Sequence, residues 1–157
     1  MDPNLKTMKK IFLTMLTFSI LVVFQSCEQE GNEKKVSGYE STASHNMGQN
    51  CLNCHKSGGS GEGWFSLAGT VYDSLKTATL PNSTVKLYSG PNGTGSLIGI
   101  IEVDGLGNFY TTNSIDFGNG IYPSVEGDAD TKYMFSSIVS GACNSCHGVS
   151  TDRIWTK

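Results

Sequence analysis

The chain has 157 residues and a formal net charge of −3, with 16% of its residues charged and 38% apolar. That length accommodates one small domain. The acidic balance excludes nucleic-acid binding, which needs a basic footprint.

The N-terminal stretch reads as an export signal. Lys6, Lys9 and Lys10 precede an apolar run from Ile11 to Phe24 that is interrupted only by Thr and Ser. The run falls short of the roughly 20 residues a membrane span needs and suits the apolar region of a signal peptide. Gln25-Ser26-Cys27 follows and resembles the processing site of a bacterial lipoprotein, which implies that Cys27 is lipidated and becomes the new N-terminus. The alternative is an ordinary signal peptide with an incidental Cys27. The processed chain is more acidic than the whole, because Lys6, Lys9 and Lys10 are lost against the single acid Asp2.

From Cys27 to about Ser44 the chain is polar, with Glu28, Glu30, Glu33, Lys34, Lys35 and Glu40. This composition predicts a flexible tether. Its acidic start resembles sorting signals of cell-surface lipoproteins. His45 opens the next segment, which contains Cys51-Leu52-Asn53-Cys54-His55 and ends in the Gly-rich run Gly58 to Gly63.

From Trp64 to about Gly127 the hydrophobic period becomes two. Phe65-Ser66-Leu67, Gly69 to Tyr72, Thr84 to Tyr88, Leu97 to Val103 and Asn108 to Thr111 alternate, separated by turn clusters rich in Gly, Pro and Asn. Short alternating runs at this spacing predict a small antiparallel β-sandwich, making the chain mainly β. Only Tyr133 to Val139 carries a pattern that suits a short helix. A second motif, Cys143-Asn144-Ser145-Cys146-His147, lies near the end.

Cys-x-x-Cys-His is the attachment signature of c-type haem. The two thiols add to the two vinyl groups of a haem, and the adjacent imidazole ligates the iron from below. Two copies use four of the five cysteines, Cys51, Cys54, Cys143 and Cys146, leaving only Cys27. No thiol is left for a disulfide, which agrees with export, because exported proteins seldom leave thiols idle. His55 and His147 become the proximal ligands of two covalently bound haem c groups.

The distal ligands are less determined. After His55 no Met occurs before Met134, and after His147 there is neither His nor Met. Distal ligands therefore lie upstream of each motif or come from the other segment. His45, ten residues before His55, and Met134, thirteen before His147, are the leading candidates, with Met47 the third. Both spans can wrap a haem edge, since an extended residue covers about 3.3–3.6 Å. His45 could equally be a surface residue and Met134 a core residue. Trp64, Phe65, Tyr133, Phe135 and Trp155 could cover haem faces or fill the sandwich core. Arg153 could pair with a haem propionate or be solvated.

The β region resembles the carboxypeptidase regulatory-like domain, a transthyretin-like sandwich. The resemblance rests on Gly69-Thr70-Val71-Tyr72-Asp73, Leu80 to Tyr88 and Val103 to Tyr110. It covers about residues 67–127 and implies a scaffold without catalytic residues. The chain thus divides into a signal peptide (1–26), tether (27–44), first haem segment (45–63), β-sandwich (64–127) and second haem segment (128–157), with the haem segments made of loops and short helices.

The expected function is electron transfer by an exported di-haem cytochrome, lipid-anchored at the outer membrane on its periplasmic or surface face. Its partners would be redox proteins. Exposed haem edges at both ends of a protomer would also permit stacking with other copies or with other multihaem cytochromes. Three other readings compete. One is a small haem enzyme or gas- or peroxide-binding protein with a five-coordinate iron. Another is a structural zinc site of four thiolates. The last is adhesion or carbohydrate binding through the sandwich. No paired carboxylates, Ser-His-Asp set or phosphate-binding loop points to other chemistry.

Overall fold

A computed structural model describes residues 31–157. The apolar N-terminal run and Cys27 lie outside them. Among the described residues no helix is long and apolar enough to cross a membrane.

The expected mainly β architecture is what forms: two four-stranded sheets around one core. Strand β1 (Leu67–Tyr72) pairs antiparallel with β4 (Asn108–Thr111) and parallel with two short strands, β7 (Gly141–Ala142) and β8 (Ile154–Trp155). The second sheet has the order β3-β2-β5-β6, with β2 at Thr84–Tyr88, β3 at Leu97–Glu102, β5 at Tyr122–Glu126 and β6 at Thr131–Tyr133; all its pairings are antiparallel. The alternation read from the sequence does its work in β2, where Val85 and Leu87 point inward and Thr84, Lys86 and Tyr88 are half-exposed. Leu67, Val71, Ile101, Val103, Phe109, Ile121 and Val125 complete the core. Each such side chain contributes about 1.5–3 kcal/mol on burial.

β1 is buried along its whole length. Successive strand residues face opposite ways. Leu67, Gly69 and Val71 turn toward the core, and Ala68, Thr70 and Tyr72 turn outward beneath the first haem segment.

Three sequence expectations change. Tyr133 to Val139 forms no helix. Its Met134 amide donates to the Pro123 carbonyl (2.9 Å), and Ile138 bridges Ile121, so the segment follows the neighbouring strand. The 128–157 segment, expected as loops and short helices, also contributes strands β6, β7 and β8 to the sheets. Residues 35–41 of the expected tether are laced onto the sandwich. Val36 bridges Thr111, Lys35 and Thr112 exchange hydrogen bonds (2.8 and 2.9 Å), and the buried Ser37 hydroxyl donates to the Glu102 carbonyl (2.6 Å). The reason is the open edge of β4, whose free backbone groups bind a polar segment as readily as an apolar one. Composition reports hydrophobic burial and misses this.

Candidate haem-attachment sites

The two motifs fold alike. Cys51–Asn53 and Cys143–Ser145 each form a single 3₁₀ turn. The amides of Cys54 and His55 donate to the Cys51 carbonyl (3.2 and 2.9 Å), and those of Cys146 and His147 to the Cys143 carbonyl (3.2 and 3.0 Å). In the first motif Asn50 caps the turn, its side-chain oxygen accepting from the Leu52 amide (3.3 Å). In both, the turn places two thiols and an imidazole on one short loop.

Each imidazole is oriented the same way. His55 Nδ1 lies 2.9 Å from the Glu62 carbonyl oxygen, and His147 Nδ1 lies 2.7 Å from the Asp152 carbonyl oxygen. A carbonyl only accepts, so Nδ1 carries the proton in both rings. The neutral tautomer then leaves the Nε2 lone pair free, which is the arrangement of a metal-ligating histidine with its second ring nitrogen tied to backbone. The loop returning from His55 depends on Gly61, because a Cβ there would stand 2.7 Å from His55 Nδ1. The Lys35 ammonium fixes the same loop through Glu62 (2.8 Å) and holds that exposed carboxyl below its usual range.

An aromatic column supports the first site. The Tyr110 ring stacks on Phe65 with centroids 4.8 Å apart, and Phe65 stacks on His55 at 4.1 Å. Burial raises the Tyr110 pKa. On the other side His45 faces His55, with ring centroids 5.8 Å apart and planes tilted by 36°. An imidazole nitrogen sits about 2 Å from a transition metal, so two rings gripping one metal need centroids roughly 6 Å apart. His45, Cys51, Cys54, His55, Phe65 and Tyr110 all border one cavity of about 690 Å³.

The second motif borders another cavity, of about 570 Å³. Cys143, Cys146 and His147 line it together with Met134, Tyr133 and Trp155. The remaining walls include Leu67, Phe109, Ile138 and Val139, so this cavity is the more apolar; the first is rich in Asn and Ser. Both volumes suit a cofactor site. Burial pushes the Cys143 thiol up to about 12, with Cys51 and Cys146 nearby adding to the effect, and burial also raises Cys51. Both first cysteines are therefore neutral thiols of low intrinsic reactivity.

The candidate ligands are thus sorted by site, His45 with the first motif and Met134 with the second. Met47 is half-exposed and borders neither cavity. Of the flanking aromatics, Phe65 serves the first site and Tyr133 and Trp155 the second, whereas Trp64 borders neither cavity and Phe135 is 95% exposed. Arg153 lines the second cavity, with its guanidinium 4.4 Å above the Tyr72 ring and donating to the Lys76 carbonyl. Among the described residues no three His, Cys, Asp or Glu side chains converge as a metal-binding group, so a closed four-thiolate zinc site is not assembled.

Sequence reasoning missed Thr70, Asn108 and Asn144, three buried polar residues between the motifs. Only Asn144 carried a signal, being an amide between two motif cysteines. No protein-family model matches this chain, and no curated protein or solved structure is significantly similar to it.

Proposed function

We propose that this protein is an exported, lipid-anchored di-haem c-type cytochrome that carries electrons between partner proteins and does no bond chemistry of its own. The observation that carries the reading is the shared geometry of the motifs. In both, the histidine directly after Cys-x-x-Cys has its Nδ1 tied to a backbone carbonyl and its Nε2 free, beside a cavity bordered by both thiols. Nothing in an accidental Cys-x-x-Cys-His calls for that orientation twice.

The residues present fit haem c at each site. Cys51 and Cys54, and likewise Cys143 and Cys146, would hold it covalently, with His55 and His147 as proximal ligands. His45 supplies a second imidazole at the first site, and Met134 a thioether at the second. Bound haem would supply a one-electron ferric–ferrous couple. The chain's part is to fix the ligands, exclude water and set the potential. The anchor at Cys27 and the export route rest on the sequence. The sandwich, resembling a carboxypeptidase regulatory-like domain, acts as scaffold.

The test is expression with a haem-attachment machinery, followed by visible absorption and low-temperature electron paramagnetic resonance. Two covalent haems, both low-spin, are expected. His45→Ala should convert one to high spin and Met134→Leu the other. A chain that matures without a covalent Soret chromophore would overturn the reading. A high-spin haem in the unsubstituted protein that binds carbon monoxide would replace the electron carrier with a gas-binding protein.

A further inference from the structure

Between the two motifs lies a closed set of buried hydrogen bonds. Asn144, only 4% exposed, reaches away from its own cavity. Its Nδ2 donates to the Gln49 carbonyl (3.1 Å) and to Thr70 Oγ1 (3.2 Å), and its Oδ1 accepts from the Thr70 amide (3.2 Å). Thr70 Oγ1 also accepts from the Gly48 amide (2.8 Å) and donates to Asn108 Oδ1 (2.7 Å). Asn108 Nδ2 donates to Ser44 Oγ (2.9 Å) and to the His45 carbonyl (3.3 Å).

Each donor is used. A hydroxyl has one proton and two lone pairs, and an amide nitrogen has two protons. Thr70 Oγ1 gives once and accepts twice, while Asn108 and Asn144 each donate both amide protons. The directions are also forced. Turning the Asn144 amide over would set its oxygen against the Gln49 carbonyl, and turning Asn108 would do the same at His45. Saturated networks of this kind hold one arrangement, since any displacement leaves a donor unpaired.

The positions served are the backbone of Gly48 and Gln49, which leads into Cys51, the backbone of His45, and β1 itself. All but β1 belong to the first site, yet Asn144 belongs to the second motif. We infer that Asn144, through Thr70 and Asn108, is a positioning residue for the opposite site: a residue of the second haem motif holds the first motif and the His45 segment in place. The two sites are therefore one mechanical unit built across β1. The consequence for iron ligation rests on the di-haem reading; the latch does not.

The experiment uses Asn144→Ala and, because that variant leaves a cavity, the near-isosteric Thr70→Val. Thr94→Ala is the control, since its hydroxyl donates to the Pro91 carbonyl on an exposed turn and it borders neither cavity. In the unloaded full chain, amide exchange at Gly48 should accelerate at least tenfold in both variants, with Val85 in the far sheet unchanged. In the haem-matured protein, carbon monoxide binding at the first site should tighten at least tenfold as His45 loosens, with the second site's spectrum unaltered. Unchanged exchange at Gly48, or equal acceleration at Gly48 and Val85, would overturn the latch. A first site indifferent to Asn144→Ala in haem-loaded protein would overturn its role in ligation. A matured chain without haem would end the cytochrome reading, and the exchange data would still decide the latch.

Discussion

Asp130 shows how much one carboxylate can organise at the protein surface. Its Oδ1 accepts from the buried Thr156 hydroxyl (2.5 Å) and from the Lys157 amide (2.9 Å), while Oδ2 pairs with Lys132 (2.8 Å). Lys132 and then Thr156 hold its carboxyl down at about 2. A group depressed in the folded state stabilises fully above its unfolded value, near 3.9, and loses that contribution as pH falls through the folded one. The stability of the unloaded protein should therefore fall between about pH 4 and pH 2, and Asp130→Asn should flatten that part of the profile in urea titrations. The Lys132 ammonium also lies 4.4 Å from the centre of the Trp155 ring, so the same ion pair steadies a wall of the second cavity.

At the scale of elements, β1 decides where both sites go. On its core face Gly69 lies under Phe109 and Cys143; a Cβ there would stand 2.5 Å from Phe109 Cζ and 3.0 Å from Cys143 Cβ. Gly69→Ala should therefore push the second motif off the strand, destabilise the fold by about 1–3 kcal/mol as overpacking does, and lower haem loading at Cys143 and Cys146 more than at Cys51 and Cys54, which it reaches only through Asn144. Mass spectrometry of haem-bearing peptides would read the asymmetry. The strands from Leu67 to Thr111 were legible from short alternating runs set between turn clusters, although only β2 turns that pattern into core and half-exposed sides and β1 is buried on both faces. The short parallel strands β7 and β8 were not, because two residues carry no period and their pairing comes from β1. Tyr133 to Val139 misled because its apolar spacing suits a helix while its course is borrowed from β5.

On the scale of the whole molecule, the two sites are alike in attachment and unlike in surroundings. The first cavity has polar walls and offers a second imidazole; the second has apolar walls and offers a thioether. Thioether ligation raises a haem's reduction potential, and an apolar shell disfavours the more charged oxidised iron. Both effects have the same sign, so the second site should titrate at the higher potential. A spectroelectrochemical titration should resolve two waves, and Met134→Leu should lower the upper one. A single wave, or a lower wave that moves instead, would contradict the assignment. Electrons entering at the first site would then come to rest at the second. The two Cys-x-x-Cys-His motifs were readable in the sequence because their spacing is local, and both fold into the same turn. Which motif His45 and Met134 each lie beside was not, because proximity across space leaves no spacing to read.

β8 supplies a consequence of another kind. β1 has its parallel neighbours only once residues 141–142 and 154–155 have been made, so its sheet stays open through most of synthesis. Strand pairings between such distant segments form late in folding. Cys143, half-buried and lining the second cavity, is thus among the last groups to reach its final place, and on the proposed reading an attachment enzyme would have most room before β8 docks. On the proposed di-haem reading the fold would set a deadline for its cofactor: the second haem would have to be joined before the strand that follows it closes the sheet.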